Sequence, residues 1–291
     1  MKFPRFPLLA LAVAAAWPVA ARAQCAACND HDPRGRGEAL SLGANALIGG
    51  LTAGVRAHRA GRPFRGAFVR GAAGGTLVYA GKRVAAETFE GAGALGRPLA
   101  AVGSSVVHNA AEGRGALSRV VIPLGPLRLY VEPRARAPVH ARVDAASVLA
   151  IAHAATRPGA RFDAAQSLSS GAVVFMRDRG ALAGIAGQQA AGVLIVDRPA
   201  GSEVDTLHLR RVTAHERVHA LQFDQGFLFW GAPAEAWLAE RFPAIRGIHR
   251  YVDFGIHVPA QAALGAAIPY AARPWEVEAY FLSRTAPVGD R

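Results

Sequence analysis

Lysine, cysteine and long apolar runs are what this chain has least of, and each shortage excludes something. The 33 basic residues are almost all arginine, and they outnumber 21 acidic residues in a chain of 291, for a formal charge of +12. The arginines are scattered singly among Ala, Gly, Pro and Val instead of clustering on one segment. That pattern reads as the codon bias of a GC-rich genome, and no nucleic-acid partner is expected. Cysteine is limited to Cys25 and Cys28, with no second CxxC to complete a four-thiolate zinc site. Arg56, His58, Arg59, Arg62, Arg65, Arg70, Lys82 and Arg83 interrupt the apolar stretches of the first third, leaving none of bilayer-spanning length. A fixed-period repeat is also lacking, which argues against a solenoid.

What is present begins with a leader. A basic start, an apolar run from Pro7 to Ala16 and the small-residue ending Ala21-Arg22-Ala23 predict a signal peptide over 1–23, cleaved after Ala23. Its loss removes Lys2, Arg5 and Arg22, three of the positive charges, and takes the formal charge from +12 to +9. The mature chain is then periplasmic, envelope-associated or secreted, a setting in which Cys25 and Cys28 are expected to form a local disulfide. The residues before each cysteine make poor lipidation signals.

Residues 24–40 read as a polar tail and residues 41–115 as a glycine-rich helical region. Gly50 with Gly54, and Gly71 with Gly75, repeat at four-residue spacing. Glycine weakens helices, so its recurrence on one face calls for close backbone contact between helices. A close-packed hairpin is expected, with a third helix over "ALGRPLAAVGSSVVHNAAEG" packed on it; the same surface offers peripheral membrane association. From residue 116 the period turns to strands. Val120 to Pro123 and Leu127 to Val131 predict a hairpin, "VHARVD" a third strand, and "AASVLAIAHAA" a helix with Asp144 as N-cap. "GAVVFMRD" and "AGVLIVD" predict two strands whose aspartates begin turns, and "DTLHLR" one strand more. The aromatic run around Phe227, Phe229, Trp230, Trp237 and Phe242 reads chiefly as core.

The segment "TAHERVHALQ" carries the chemistry. Val212, His215, Val218, His219 and Gln222 recur at spacings of three and four, so they share one helix face. Histidines one turn apart bring two imidazole nitrogens to a single ion, about 2 Å from each. Glu216 is rotated to the side, where it can take a proton from metal-bound water without being a ligand.

His215-Glu216-x-x-His219 resembles the active-site helix of the zincin metallopeptidases, a likeness covering about residues 205 to 285. Gln222 and Gln225 stand where the metzincin branch would have glycine and its third histidine. The gluzincin branch takes its third ligand from a glutamate on a later helix, and "ARPWEVEAYFLSR" offers Glu276 and Glu278. Glu276, with Ala279 and Tyr280 on its own face, fits the Glu-x-x-Ala pattern of that branch; Glu278 is the alternate, followed by His249, His257 and Asp224. The resemblance also asks for an oxyanion donor, with Tyr280, His249, Tyr251 and Tyr270 as candidates, and for a sheet edge to hold peptide, from "DTLHLR" or "GVLIVD".

The expected architecture is α+β: a glycine-rich N-terminal helical unit followed over 116–291 by a zincin-like domain with a mixed sheet, the active-site helix and a C-terminal ligand helix. The expected function is exported zinc-dependent hydrolysis of a peptide or protein substrate, with Glu216 as base. Two alternatives stand beside it: a non-catalytic zincin-like envelope protein with a structural, partner-binding or membrane-binding role, and an anion-binding module that needs no metal.

Overall fold

The computed structural model describes residues 33–179, 186–199 and 206–285. The expected leader, the expected Cys25–Cys28 disulfide and the first part of the expected tail lie outside these residues. The tail reading fails from Pro33 onward, because α1 (Pro33–Arg59) already begins there. Its first turns are held in part by Glu38, which pairs with Arg83 at 3.2 Å.

Three helices follow one another in close contact: α1, α2 (Phe64–Ala85) and α3 (Ala92–Ala111). The α1–α2 crossing sets Gly49 against Gly71 and Gly75, and Gly75 against the Asn45 carbonyl, where an added Cβ would overlap backbone. A second face of α2 does the same with α3, through Gly74 against Gly103 and Gly81 against Gly96. The expected pair Gly50 and Gly54 serves differently: these two leave room for the rings of Phe68 and Phe64. No helix among the described residues is long and apolar enough to cross a membrane.

Among the described residues the strands form two four-stranded sheets. In the first, β1 (Val120–Leu124), β2 (Leu127–Val131) and β3 (Val139–Asp144) run antiparallel, and β8 (Val252–Asp253) joins β3 in parallel. Gly125, at φ 57°, and Pro126 make the two-residue turn of the expected hairpin. Asp144 does precede α4 (Ala145–Ala155), but its side chain caps no backbone amide. It binds Arg128 Nη2 at 2.6 Å and Ser147 Oγ at 2.7 Å, because a buried guanidinium needs a carboxylate more than a helix end does.

The second sheet has the order β4 (Ala160–Phe162), β5 (Val173–Arg179), β7 (Val193–Pro199), β6 (Ala186–Ala190), with β5 and β7 parallel and the outer pairs antiparallel. A short α5 (Ala164–Ser170) precedes β5. Val174, Met176, Leu194 and Val196 face Ala220 of the following long helix, while Phe175, Val193 and Ile195 face Ala150 and Ala154 of α4. Burial on both faces explains why these strands read as continuous apolar runs. Asp178 and Asp197 do not begin turns: they lie within the parallel pair and bind Arg198 and Arg177 across it, at 2.7 and 2.6 Å.

"DTLHLR" is not a strand. From Thr206 the chain is already in α6 (Thr206–Gly226), where Leu209 and Val212 pack on the sheet. The helix widens into a π-turn over Phe227–Gly231, whose Phe227 and Phe229 are core while Phe242 beyond is half exposed. Then come α7 (Ala232–Arg241), α8 (Pro243–His249), α9 (His257–Ala267) and α10 (Pro274–Ser283).

The glycine contacts give a paired test. Gly75→Ala should cost about 1–3 kcal/mol through overlap with the α1 backbone. Gly43→Ala, exposed in mid-helix with open space around its Cβ, should gain up to about 1 kcal/mol. Urea midpoints at unchanged slope measure both.

Candidate metal centre

α6 is buried on nearly every side. Ala220 meets the second sheet, and Val218 packs with Tyr79, Ala86, Ala279 and Leu282 where α2, α6 and α10 come together. This clamping fixes the rotation of the helix and therefore the direction of its histidines. Pro274, at the first turn of α10, starts that helix where Glu276 and Glu278 fall in its first turns.

The structure brings His215, His219 and Glu276 together, all three buried. Nε2 of His219 lies 3.0 Å from Nε2 of His215 and 3.1 Å from Oε2 of Glu276, and His215 Nε2 lies 3.4 Å from the same oxygen. A tetrahedral ion with bonds of about 2.0–2.1 Å separates its ligands by about 3.3 Å. The three atoms thus stand at coordination spacing, and two imidazoles with one carboxylate form a donor set that could hold a divalent transition-metal ion.

Glu278 does not join them. Residues two apart on a helix point to nearly opposite sides, and Glu278 turns to Lys82 Nζ (2.8 Å), Asn45 Nδ2 (2.6 Å) and Gln222 Nε2 (2.8 Å). The remaining ligand candidates also lie elsewhere. Asp224 binds Arg97 at 2.8 Å. His257 packs on the rings of Phe223 and Phe227.

His249 belongs to a second carboxylate cluster with Glu235 and Asp253. There Arg142 Nη1 lies 3.3 Å from Asp253 and 3.5 Å from His249, so a guanidinium already supplies positive charge. Glu235 itself accepts from the amides of Phe254, Gly255 and Ile256. This cluster braces the β8 loop.

Of the four oxyanion candidates, Tyr280 and Tyr270 reach the centre. The Tyr280 ring lies 4.4 Å from the His215 ring, and the two tyrosine hydroxyls are 3.3 Å apart. Partial desolvation, the Tyr280 hydroxyl and the nearby Glu276 carboxylate all push the half-exposed Tyr270 hydroxyl above its ordinary value. His249 is in the second cluster, and Tyr251 is exposed.

Electrostatics divide the two carboxylates. Burial opposes ionisation of Glu276, but the adjoining imidazoles outweigh it and hold this carboxyl well below its usual range. Glu216 lacks such help: burial pushes it up to about 7, with His219 opposing. Burial also lowers His215, whereas for His219 the Glu276 contact and the Glu216 charge overcome burial and raise it.

Three features of the centre had gone unforeseen. Gly187 of β6 lies directly over Glu216, and a Cβ there would strike the carboxylate. The only hint in the sequence is a glycine beside apolar strands, the mark of close approach. Thr285 Oγ1 stands 3.4 Å from His215 Nδ1, and no pattern announces it. The sheet edge beside the centre is β6, not "GVLIVD", because β7 is flanked by β5 and β6.

The Glu216 shift has a signed consequence for the metal-free protein. A carboxyl raised from 4.5 to about 7 on folding contributes stability that is complete below about pH 4.5 and is lost as pH rises through about 7. The burden above that range is on the order of 3 kcal/mol. Glu216→Gln should therefore raise the unfolding free energy at about pH 8 and change it little at about pH 4. Urea titrations of both metal-free proteins at the two pH values check this.

The chain matches no protein-family model, no curated protein and no solved structure, and its functional reading rests on the convergence of these side chains.

Proposed function

We propose that this protein is an exported zinc-dependent peptidase in which His215, His219 and Glu276 hold the metal and Glu216 is the general base. The observation that carries the reading is the approach of three buried ligand atoms, from two helices, to 3.0–3.4 Å of one another. Bound there, zinc would lower the pKa of its water and polarise a substrate carbonyl.

The protein's own residues supply the rest. Glu216 follows His215 on α6 and is turned about 100° from it around the helix. In the metal-free protein burial pushes its carboxyl up to about 7, the range in which a carboxylate both accepts and returns a proton at neutral pH. Tyr280 and Tyr270 offer O–H donors beside the metal ligands for negative charge developing on the carbonyl oxygen. As an edge strand of its sheet among the described residues, with Gly187 over Glu216, β6 suits an extended peptide that pairs with it and runs past the base.

One observation favours a second reading. Glu216 is buried as deeply as the ligands, which also suits a metal-stabilised envelope scaffold without turnover. Glu216→Gln separates the two. For a peptidase it should keep its zinc and lose at least about 100-fold in cleavage of an unstructured peptide library followed by mass spectrometry. Wild-type protein that binds zinc and cleaves none of the library, under conditions where a known zinc peptidase does, favours the scaffold.

A further inference from the structure

The helical bundle meets the metal centre through a buried chain of polar side chains, and the acceptors along it fix the donor roles. Gln222 Nε2 lies 2.8 Å from a Glu278 carboxylate oxygen and 3.0 Å from the Trp275 carbonyl. Both are acceptors, so the amide nitrogen must face them and Gln222 Oε1 must face the other way, toward His219 Nδ1 at 2.7 Å. An amide oxygen only accepts, so Nδ1 carries the proton. In the neutral ring that proton leaves Nε2 free toward His215 and Glu276, the tautomer a metal ligand needs.

Glu278 is fixed in turn from the bundle. Lys82 Nζ donates to Oε2 at 2.8 Å, and Asn45 Nδ2 donates to Oε1 at 2.6 Å. Asn45 is itself locked, since its Oδ1 accepts from Lys82 at 3.0 Å and its Nδ2 also donates to the Ser41 carbonyl at 2.9 Å. Lys82 is completely buried, though lysine is the side chain that most readily stays in water. A buried ion pair of this kind is a poor source of stability compared with packed apolar residues, so its placement calls for another reason.

We infer that Gln222, Glu278, Lys82 and Asn45 are positioning residues for the metal ligand His219, and that the glycine-packed helices set the protein's metal affinity through them. This rests on the zinc reading proposed above and extends it to the N-terminal half of the chain. None of the four touches the metal position; they hold one imidazole in one tautomer and one orientation.

Two variants test it, each compared with wild type in zinc affinity by chelator competition and in the visible spectrum of the Co2+ form. Gln222→Met removes the acceptor for Nδ1 at similar volume. The double variant Lys82→Met/Glu278→Gln removes the buried charges together, leaving no uncompensated ion, and keeps Gln222. Circular dichroism of the metal-free proteins establishes that each is folded. Gln222→Met should bind zinc about 10- to 100-fold more weakly, the double variant should be weakened in the same direction, and both should change the Co2+ ligand-field bands. A purely structural role would alter melting and leave affinity and bands unchanged. Wild-type affinity in both variants, or affinity lost in both only together with the fold, overturns the inference while the metal site stands. Wild-type protein that takes up no zinc overturns the metal reading and this inference with it.

Discussion

The two glutamates of α10 diverge to different sets of partners, and the arrangement of the molecule turns on that. Glu276 faces α6 and closes a triangle with His215 and His219; Glu278 faces the N-terminal helices and pairs with Lys82. A helix that must satisfy both sides has one rotation and one depth. Apolar packing of Ala279 and Leu282 against Tyr79, Ala86 and Val218 holds it there. The centre is thus assembled between helices far apart in the chain, and its geometry depends on elements that contribute no ligand.

Glycine makes this possible. Lys82 and Asn45 reach Glu278 because α1 and α2 cross with their backbones nearly touching, through Gly49, Gly71 and Gly75. Larger residues there would push α1 outward and separate Asn45 from Lys82. The helical cost of glycine, about 1 kcal/mol each, is offset by close packing and by a buried polar network in which the groups of Asn45, Glu278 and Gln222 have partners. The bundle and the candidate metal centre are therefore one packed unit, although residues 41–115 read in sequence as a separate one.

How much could be read from the sequence depended on distance along the chain. His215, Glu216 and His219 are legible because their relation is internal to one helix, where spacing fixes geometry. Glu276 and Glu278 could be placed on a helix but not distinguished with certainty, since the choice depends on how α10 is rotated against α6. The role of Glu278 was illegible: its partners Lys82 and Asn45 lie 196 and 233 residues away. "DTLHLR" alternates like a strand, yet continuity with the buried α6 wins over the local pattern. β6, "AGQQA", has little strand propensity and forms by pairing with β7 across a tight turn in which Ala191 and Gly192 both take positive φ. The strands buried on both faces, the β1–β2 hairpin and the α4 helix were legible because composition, period and turn residues agreed locally.

The proposed function depends on His215, His219 and Glu276 holding a metal ion. Metal analysis of purified protein, wild type beside His219→Ala, after dialysis against zinc and removal of loose metal, tests it most directly. Wild type should hold about one zinc per chain and a folded His219→Ala none. Wild-type protein free of metal, or equal zinc in both, would contradict it.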